Sequence, residues 1–499
     1  MNALLVYPEF PETFWSFKHA LKFIHKKASS PPLGLATIAA LLPSDWKIRI
    51  LDLNISPLTI QDIQWADIVM VSAMVVQKKS AHEVIQRCKN LGKIIVAGGP
   101  LFLGEWQQFP LVDHFVLNEG EITLPLFLED FLSGNARRIY QTADFAEMAL
   151  SPVPKWELIE LKAYDSLSIQ YSRGCPFNCE FCNVTAMLGH KPRTKSASQI
   201  LAELDKMYEL GWRRNIFFVD DNFIGNRKHL KEEILPALIQ WRKDKKGCHF
   251  ITEASINLAD DPELMNLMRE AGFVSVFVGI ETPVEDSLNE CNKKQNLKRD
   301  LLTAIHTLQK NGLQVMGGFI VGFDNDPPNI FQKQIEFIQK SGIVTAMVGL
   351  LQAPYGTKLY ERMEKQGRIV KDLSGDNTNG TTNIIPKMGL NALQSGYRSL
   401  LEELYKPEGF YMRVRTFLEN YSLPEAGSTQ IHLEEILAFF RSIWELGIMG
   451  KERKEFWKLF FWTLLKYPRK FPLAITFSIY GYHFRQIFEK NVLQDQSMI

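Results

Sequence analysis

The sequence predicts an α/β protein of three parts: a doubly wound N-terminal domain, a partial (β/α)6 barrel and a mostly helical C-terminal region. Two separate series of short β-rich runs, each alternating with helical patterns, predict the first two parts. Loss of that alternation beyond Pro354 predicts the third. A chain of 499 residues is long enough for about three cores of ordinary size.

The first series occupies 1–133. Short apolar runs at 3–7, 47–52, 68–72, 93–97 and 115–117 read as strands, with helical patterns at 33–42 and 80–91 between them. Turns after these strands carry Pro8, Asp52, Ser72, Gly98-Gly99-Pro100 and Glu119-Gly120-Glu121. Ligands of doubly wound sheets sit beyond the carboxyl ends of the strands, so Ser72, Gly98, Gly99 and Glu119 become candidate binding residues. Gly-Gly-Pro also reads as a plain tight turn. Residues 134–165, with Ser133-Gly134, Ser151-Pro152 and Pro154, read as a linker.

The second series occupies 166–385. Strands are expected at 167–172, 215–219, 249–253, 274–280, 315–320 and 345–350. Helices are expected at 197–210, 228–243, 262–271, 298–311 and 329–341. Six βα units are too few for a closed eight-stranded barrel and suit a partial one. Residues 386–499 read as helical, a candidate substrate or capping region.

Composition narrows the function classes. With 46% hydrophobic and 23% charged residues the chain is that of a folded globular protein. A net charge of +1 argues against a broad nucleic-acid surface. The opening residues lack the pattern of a secretory signal, and no apolar stretch reaches the length of a membrane span. Of six cysteines, three fall within eight residues, which is no disulfide framework. A reducing cytoplasm is the expected compartment.

Those three are Cys175, Cys179 and Cys182, in Tyr171-Ser-Arg-Gly-Cys-Pro-Phe-Asn-Cys-Glu-Phe-Cys-Asn183, directly after the first strand of the second series. A cubane [4Fe–4S] cluster takes four ligands, so three local thiolates leave one iron open to another molecule. Zinc is the competing reading, although closed zinc sites usually add a second cysteine pair or histidines, and only His190 lies near.

The Cys-x3-Cys-x2-Cys loop, its Gly-Cys-Pro flank and Phe181 before the third cysteine resemble the signature of the radical S-adenosylmethionine (SAM) enzymes. The resemblance implies that the open iron chelates the SAM amino and carboxylate groups. One-electron cleavage would then yield methionine and a 5′-deoxyadenosyl radical that abstracts hydrogen from an unactivated carbon. It also implies cofactor-binding roles at strand ends for Asp220, Asp221 and Asn222, for Glu253 and for Glu281. Helix capping or salt bridging is the plainer reading of each.

A doubly wound, flavodoxin-like domain ahead of such a barrel resembles the cobalamin-binding subgroup of the family. Asp52-Leu-Asn-Ile-Ser-Pro57 lacks the cobalt-ligating histidine of many cobalamin proteins. The methylthiotransferases are a second subgroup with a doubly wound domain, but theirs holds three further cysteines and this one holds only Cys88. The whole chain resembles the subfamily of the hopanoid C-2 methylase. This implies a radical SAM C-methyltransferase with methylcobalamin as donor, an apolar substrate for which a hopanoid-like lipid is the candidate among the lipids, tetrapyrroles, antibiotics and phosphinates such enzymes methylate, and an electron donor such as flavodoxin or ferredoxin. Non-methylating radical chemistry, or a non-catalytic electron carrier or cobalamin-binding regulator, are the alternatives.

Residues 451–490 hold nine Lys or Arg against three Glu, a local net of +6, among many aromatics. Such a segment suits either a helix lying on an anionic membrane or a cap packed on the barrel.

Overall fold

Strands such as Asn2–Tyr7, with four buried residues in succession, are too apolar to face water on either side and therefore belong in a parallel sheet covered on both faces. The computed structural model, which describes residues 1–370, 373–376, 378–423 and 433–490, contains two such sheets. The first comprises β1 (Asn2–Tyr7), β2 (Lys47–Asp52), β3 (Ile68–Ser72), β4 (Ile94–Gly98), β5 (His114–Val116) and β6 (Ile139–Tyr140). Its order is β2-β1-β3-β4-β5-β6, all parallel, with a separate hydrophobic cluster on each face. Chain direction across the sheet reverses between β1 and β3, the switch point where doubly wound sheets bind ligands.

The stretch 134–165, expected as linker, begins by completing this sheet, since β6 pairs with β5. Two residues are too short to leave a periodic signal in sequence.

The second sheet starts with β7 (Ser166–Ile169). A small antiparallel hairpin follows, β8 (Ser172–Arg173) with β9 (Arg193–Thr194). The sheet then continues with β10 (Asn215–Phe218), β11 (His249–Glu253), β12 (Phe273–Glu281), β13 (Gln314–Val321) and β14 (Ala346–Leu350), paired in sequence order. β7 and β14 are the two edge strands and do not pair with each other among the described residues, so the barrel is open along one seam. Its helices begin at clear caps: Ser196 forms a capping box, and Asp261, Asp300 and Thr357 accept from backbone N–H groups of the first turn.

Burial alternates along the barrel strands. On β10, β11 and β13 the helix-facing residues are buried, whereas Phe217, Ile251, Met316 and Ile320 on the other face are only half-buried. A packed eight-stranded barrel fills its interior with side chains. Here the inner face keeps accessible surface on apolar and polar side chains alike, Asn215, His249, Glu253 and Gln314 alternating in step with those four.

Both edges are covered. Helix Leu390–Tyr405 lies against β14, where the Tyr397 and Tyr405 hydroxyls donate to the carbonyls of Val348 (2.9 Å) and Ala346 (2.5 Å). On the β7 side, the Tyr164 hydroxyl donates to Asp52 Oδ2 at 2.8 Å, tying the carboxyl end of β2 to the start of the barrel. The backbone of Gly375, beyond β14, lies against Val75 and Val76, beyond β3. The carboxyl edge of the first sheet thus spans the open seam.

The last described helix, Phe471–Phe488, is largely buried. Phe484 stacks on Phe14 at 4.2 Å between ring centroids, and a ring nitrogen of His483 meets the Phe14 carbonyl at 3.0 Å. Trp15 packs edge-on against Phe277 of β12 at 5.5 Å.

Candidate functional site

The cysteine loop leaves β8 and returns through β9. Gly174, before Cys175, has φ +93°, and a Cβ there would meet the carbonyls of Lys191, Gly189 and Leu188 at 2.8–3.0 Å. Only glycine lets the two arms of the loop approach so closely. The Cys175 N–H then donates to the Gly189 carbonyl at 3.2 Å.

Two groups of ion pairs hold this loop. At its base, Arg193 places Nη2 2.7 Å from Glu119 Oε1 and Nη1 2.9 Å from Glu119 Oε2. Arg173 donates to Glu119 at 2.7 Å and to both oxygens of Glu121 at 2.7 and 2.9 Å. All four side chains are largely buried. At its tip, Arg362 holds both oxygens of Glu180 at 2.7 and 2.8 Å and also reaches Glu290 and Asp324. The Glu180 N–H donates to the Cys291 carbonyl (2.9 Å), and Asn292 Nδ2 to the Asn178 carbonyl (2.7 Å).

Cys179 is buried, and Cys175 and Cys182 are half-buried. Burial pushes the Cys175 thiol up and the Cys182 thiol up to about 12, so ligation has to displace these protons. Gln295 Nε2 donates to Cys179 Sγ at 3.6 Å. The Lys293 ammonium sits 5.9 Å from the centre of the Phe181 ring and 2.6 Å from Glu281 Oε1. Burial alone would lower its pKa, but Glu281 and the sulfurs of Cys179 and Cys182 more than reverse this and keep it charged. Lys293 and Gln295 carry no motif in sequence and emerge only from the fold.

Among the described residues no three His, Cys, Asp or Glu side chains converge as ligands of one ion. A cubane instead takes each thiolate on a different iron. Three soft donors on one pinned loop and a cation beside them fit a cluster of that kind.

The candidate carboxylates divide. Asp220, fully buried, accepts from Tyr171 N at 3.1 Å, from Ser172 Oγ at 2.6 Å and from Ser172 N. Burial still lifts its pKa to about 7 against those bonds. Asn222 Oδ1 accepts from Ser255 N and Oγ at 3.1 and 3.2 Å. Both fasten backbone around the site. The two oxygens of Glu119 are likewise engaged, by Arg173 and Arg193. Glu281, at φ +65° on the bulge between β12 and β13, is shared with Lys293.

Asp221 and Glu253 differ from these. Neither has an ion-pair partner among the described residues. Asp221 keeps accessible surface although protein surrounds it on most sides, as a group lining a cleft does. Burial lifts its pKa to about 6. Glu253 rises to about 8, through burial and then the neighbouring Asp221 and Asp220.

At the edge of the first sheet, Ser72 and Gly99 adjoin. Gly99 has φ +93°, and a Cβ on it would lie 2.7 Å from Ser72 Oγ. A Cβ on Gly98 would lie 2.6 Å from the Val116 carbonyl of β5. Backbone packing therefore requires both glycines, and both sit on the edge that faces the seam.

Comparison with known proteins follows the same division. Residues 24–128 match the B12 binding domain, 169–338 the radical SAM superfamily and 357–497 a domain of unknown function. An uncharacterized methyltransferase of Synechocystis sp. (strain PCC 6803) is 39% identical over 97% of this chain and 92% of its own. The hopanoid C-2 methylase of Rhodopseudomonas palustris (strain TIE-1) is 34% identical over 91% of this chain and 88% of its own. The cobalamin-dependent SAM radical enzyme OxsB, solved with aqua-cobalamin and SAM, shares the fold at a TM-score of 0.64 and 16% identity, over 99% of this chain and 84% of that one. With both cofactor-binding halves matched and full-length relatives above 30% identity, the chain belongs to the cobalamin-dependent radical SAM methyltransferases, whose cofactors are a [4Fe–4S] cluster, SAM and cobalamin.

Proposed function

We propose that this protein methylates an unactivated carbon of a large apolar substrate, a hopanoid-like polycyclic lipid. The observation that carries the reading is the inner face of the barrel, where Phe217, Ile251, Met316 and Ile320 are only half-buried on strands that follow the cysteine loop. The likeness to the hopanoid methylase supports the same acceptor class.

In this reading Cys175, Cys179 and Cys182 hold the cluster, while Asp221 and Glu253 receive the SAM amino group or a polar group of the acceptor. Ser72, Gly98 and Gly99 give cobalamin a close backbone approach. When bound, these groups supply a hydrogen-abstracting adenosyl radical and a methyl donor. The chain orients them across the seam and excludes water. A flavodoxin or ferredoxin in the cytoplasm supplies the electron.

The test is anaerobic incubation of the reconstituted protein with a hopene-skeleton lipid, SAM and a reductant. A product one methyl group heavier is expected, with 5′-deoxyadenosine and S-adenosylhomocysteine. Cys179→Ala should form neither 5′-deoxyadenosine nor product. Turnover by that variant would remove the cluster assignment, and SAM cleavage without a methylated lipid would remove the acceptor.

A further inference from the structure

We infer that the C-terminal region carries a docking face for an anionic phospholipid bilayer. The inference deepens the lipid-acceptor reading. Helix Leu433–Ser442 continues as a π-helix, Ile443–Met449. Along the two, Leu433, Leu437, Phe440, Trp444 and Ile448 recur at steps of three and four, which places them on one side. All five are exposed, Phe440 to 61% and Trp444 to 58%. The neighbouring helix Arg453–Lys466 exposes Phe461, Leu464 and Leu465, the last to 82%. Phe439 and Phe460, next to Phe440 and Phe461, meet at 6.3 Å between ring centroids. The two stripes therefore lie side by side as one apolar patch, of the kind that marks an interaction site.

Charge decides the occupant. Lys451, Lys454, Lys458, Lys466 and Arg469 are exposed around the second helix. Nearby acidic groups are largely engaged: Glu455 with Lys458 at 2.5 Å, Glu452 with Arg485, and Glu434 with Arg214 and Lys26. Glu435 and Glu445 are also exposed. A second copy would bring one cationic rim against another, whereas anionic headgroups complement it and the acyl region takes the aromatics. No helix among the described residues is long and apolar enough to cross a membrane, so the contact is one of lying on the surface.

The test is sedimentation of the full-length holoprotein with vesicles of phosphatidylglycerol and phosphatidylcholine, and with phosphatidylcholine alone. Binding to the anionic vesicles is expected, weakened by salt and at least about tenfold lower on the neutral ones. The triple variant Phe440→Ser, Trp444→Ser, Phe461→Ser should lose at least about tenfold in partition while keeping its iron, its cobalt and 5′-deoxyadenosine formation. Lys451→Glu with Lys454→Glu should weaken binding to the anionic vesicles alone. Absence of vesicle binding, equal binding by the triple variant, or a wild-type dimer that this variant turns into a monomer would overturn the inference. Vesicle binding is read without any methyl acceptor. A negative result there leaves the lipid-acceptor reading to its product assay, and a failed product assay leaves the docking result standing.

Discussion

Arg193 and Glu119 lie 74 positions apart and meet through two parallel hydrogen bonds, at 2.7 and 2.9 Å. One belongs to the returning arm of the cysteine loop and the other to the turn after β5. Arg173 shares the same carboxylate from the outgoing arm. The loop is therefore anchored on the first sheet as well as on its own barrel.

Glu119→Gln leaves two buried arginines short of a counter-charge. Removing one member of a buried pair costs about 3–5 kcal/mol. The variant should melt lower and lose iron faster on dilution, with Glu119→Asp recovering part of both. Unchanged melting and iron retention in Glu119→Gln would show that the clamp is idle.

Gly174→Ala introduces a Cβ into a gap bounded by three carbonyls and forces a non-glycine residue to φ +93°. Strain of about 1–3 kcal/mol is expected from the backbone before the contacts are counted. Iron per chain after reconstitution should fall well below the wild-type value while cobalt binding persists. Full iron loading would count against the geometry given for the loop.

Gly99→Val fills the space against Ser72 at the edge of the first sheet. Cobalt should be lost from the purified protein while about four irons per chain remain. The opposite pattern, with cobalt kept and iron lost, would place cobalamin elsewhere.

Glu253, lifted to about 8, makes stability depend on pH. In the unfolded chain it ionises near 4.5 and in the fold only near 8, so the folded state holds the extra proton between these values. Its contribution is complete below about 4.5 and is lost as pH rises through about 8. Glu253→Gln should therefore gain on the wild type from pH 5 to pH 9 in protein free of SAM. Discounted for partial exposure, the gain is on the order of 1–2 kcal/mol. A wild-type–variant difference in melting temperature that stays flat over that range would refute it.

The six barrel strands were legible because each is a short β-rich run followed by a helical period. The cysteine spacing was legible because cluster chemistry dictates it. β6 and the β8–β9 hairpin were not, since each strand is two residues long and the hairpin is held by distant ion pairs. Position within the motif explains why neighbouring candidates differ in their surroundings. Asp220, Asp221 and Asn222 are adjacent in sequence, yet the first and third are buried against backbone and the second keeps accessible surface. Glu119 could be found at a strand end, but its partners lie 54 and 74 residues away. Lys293 reaches the cysteines only because the chain after β12 folds back past Cys291.

The two anchors of the cysteine loop also differ in when they are made. Glu119 and Glu121 precede Arg173 by 54 and 52 residues, whereas Arg362 follows Glu180 by 182. Domains fold largely as units during synthesis, N-terminal first. The acidic base of the loop is thus in place as the loop emerges from the ribosome, and the latch over its tip arrives only when the barrel is complete. Between these moments the loop is held on one side and open on the other.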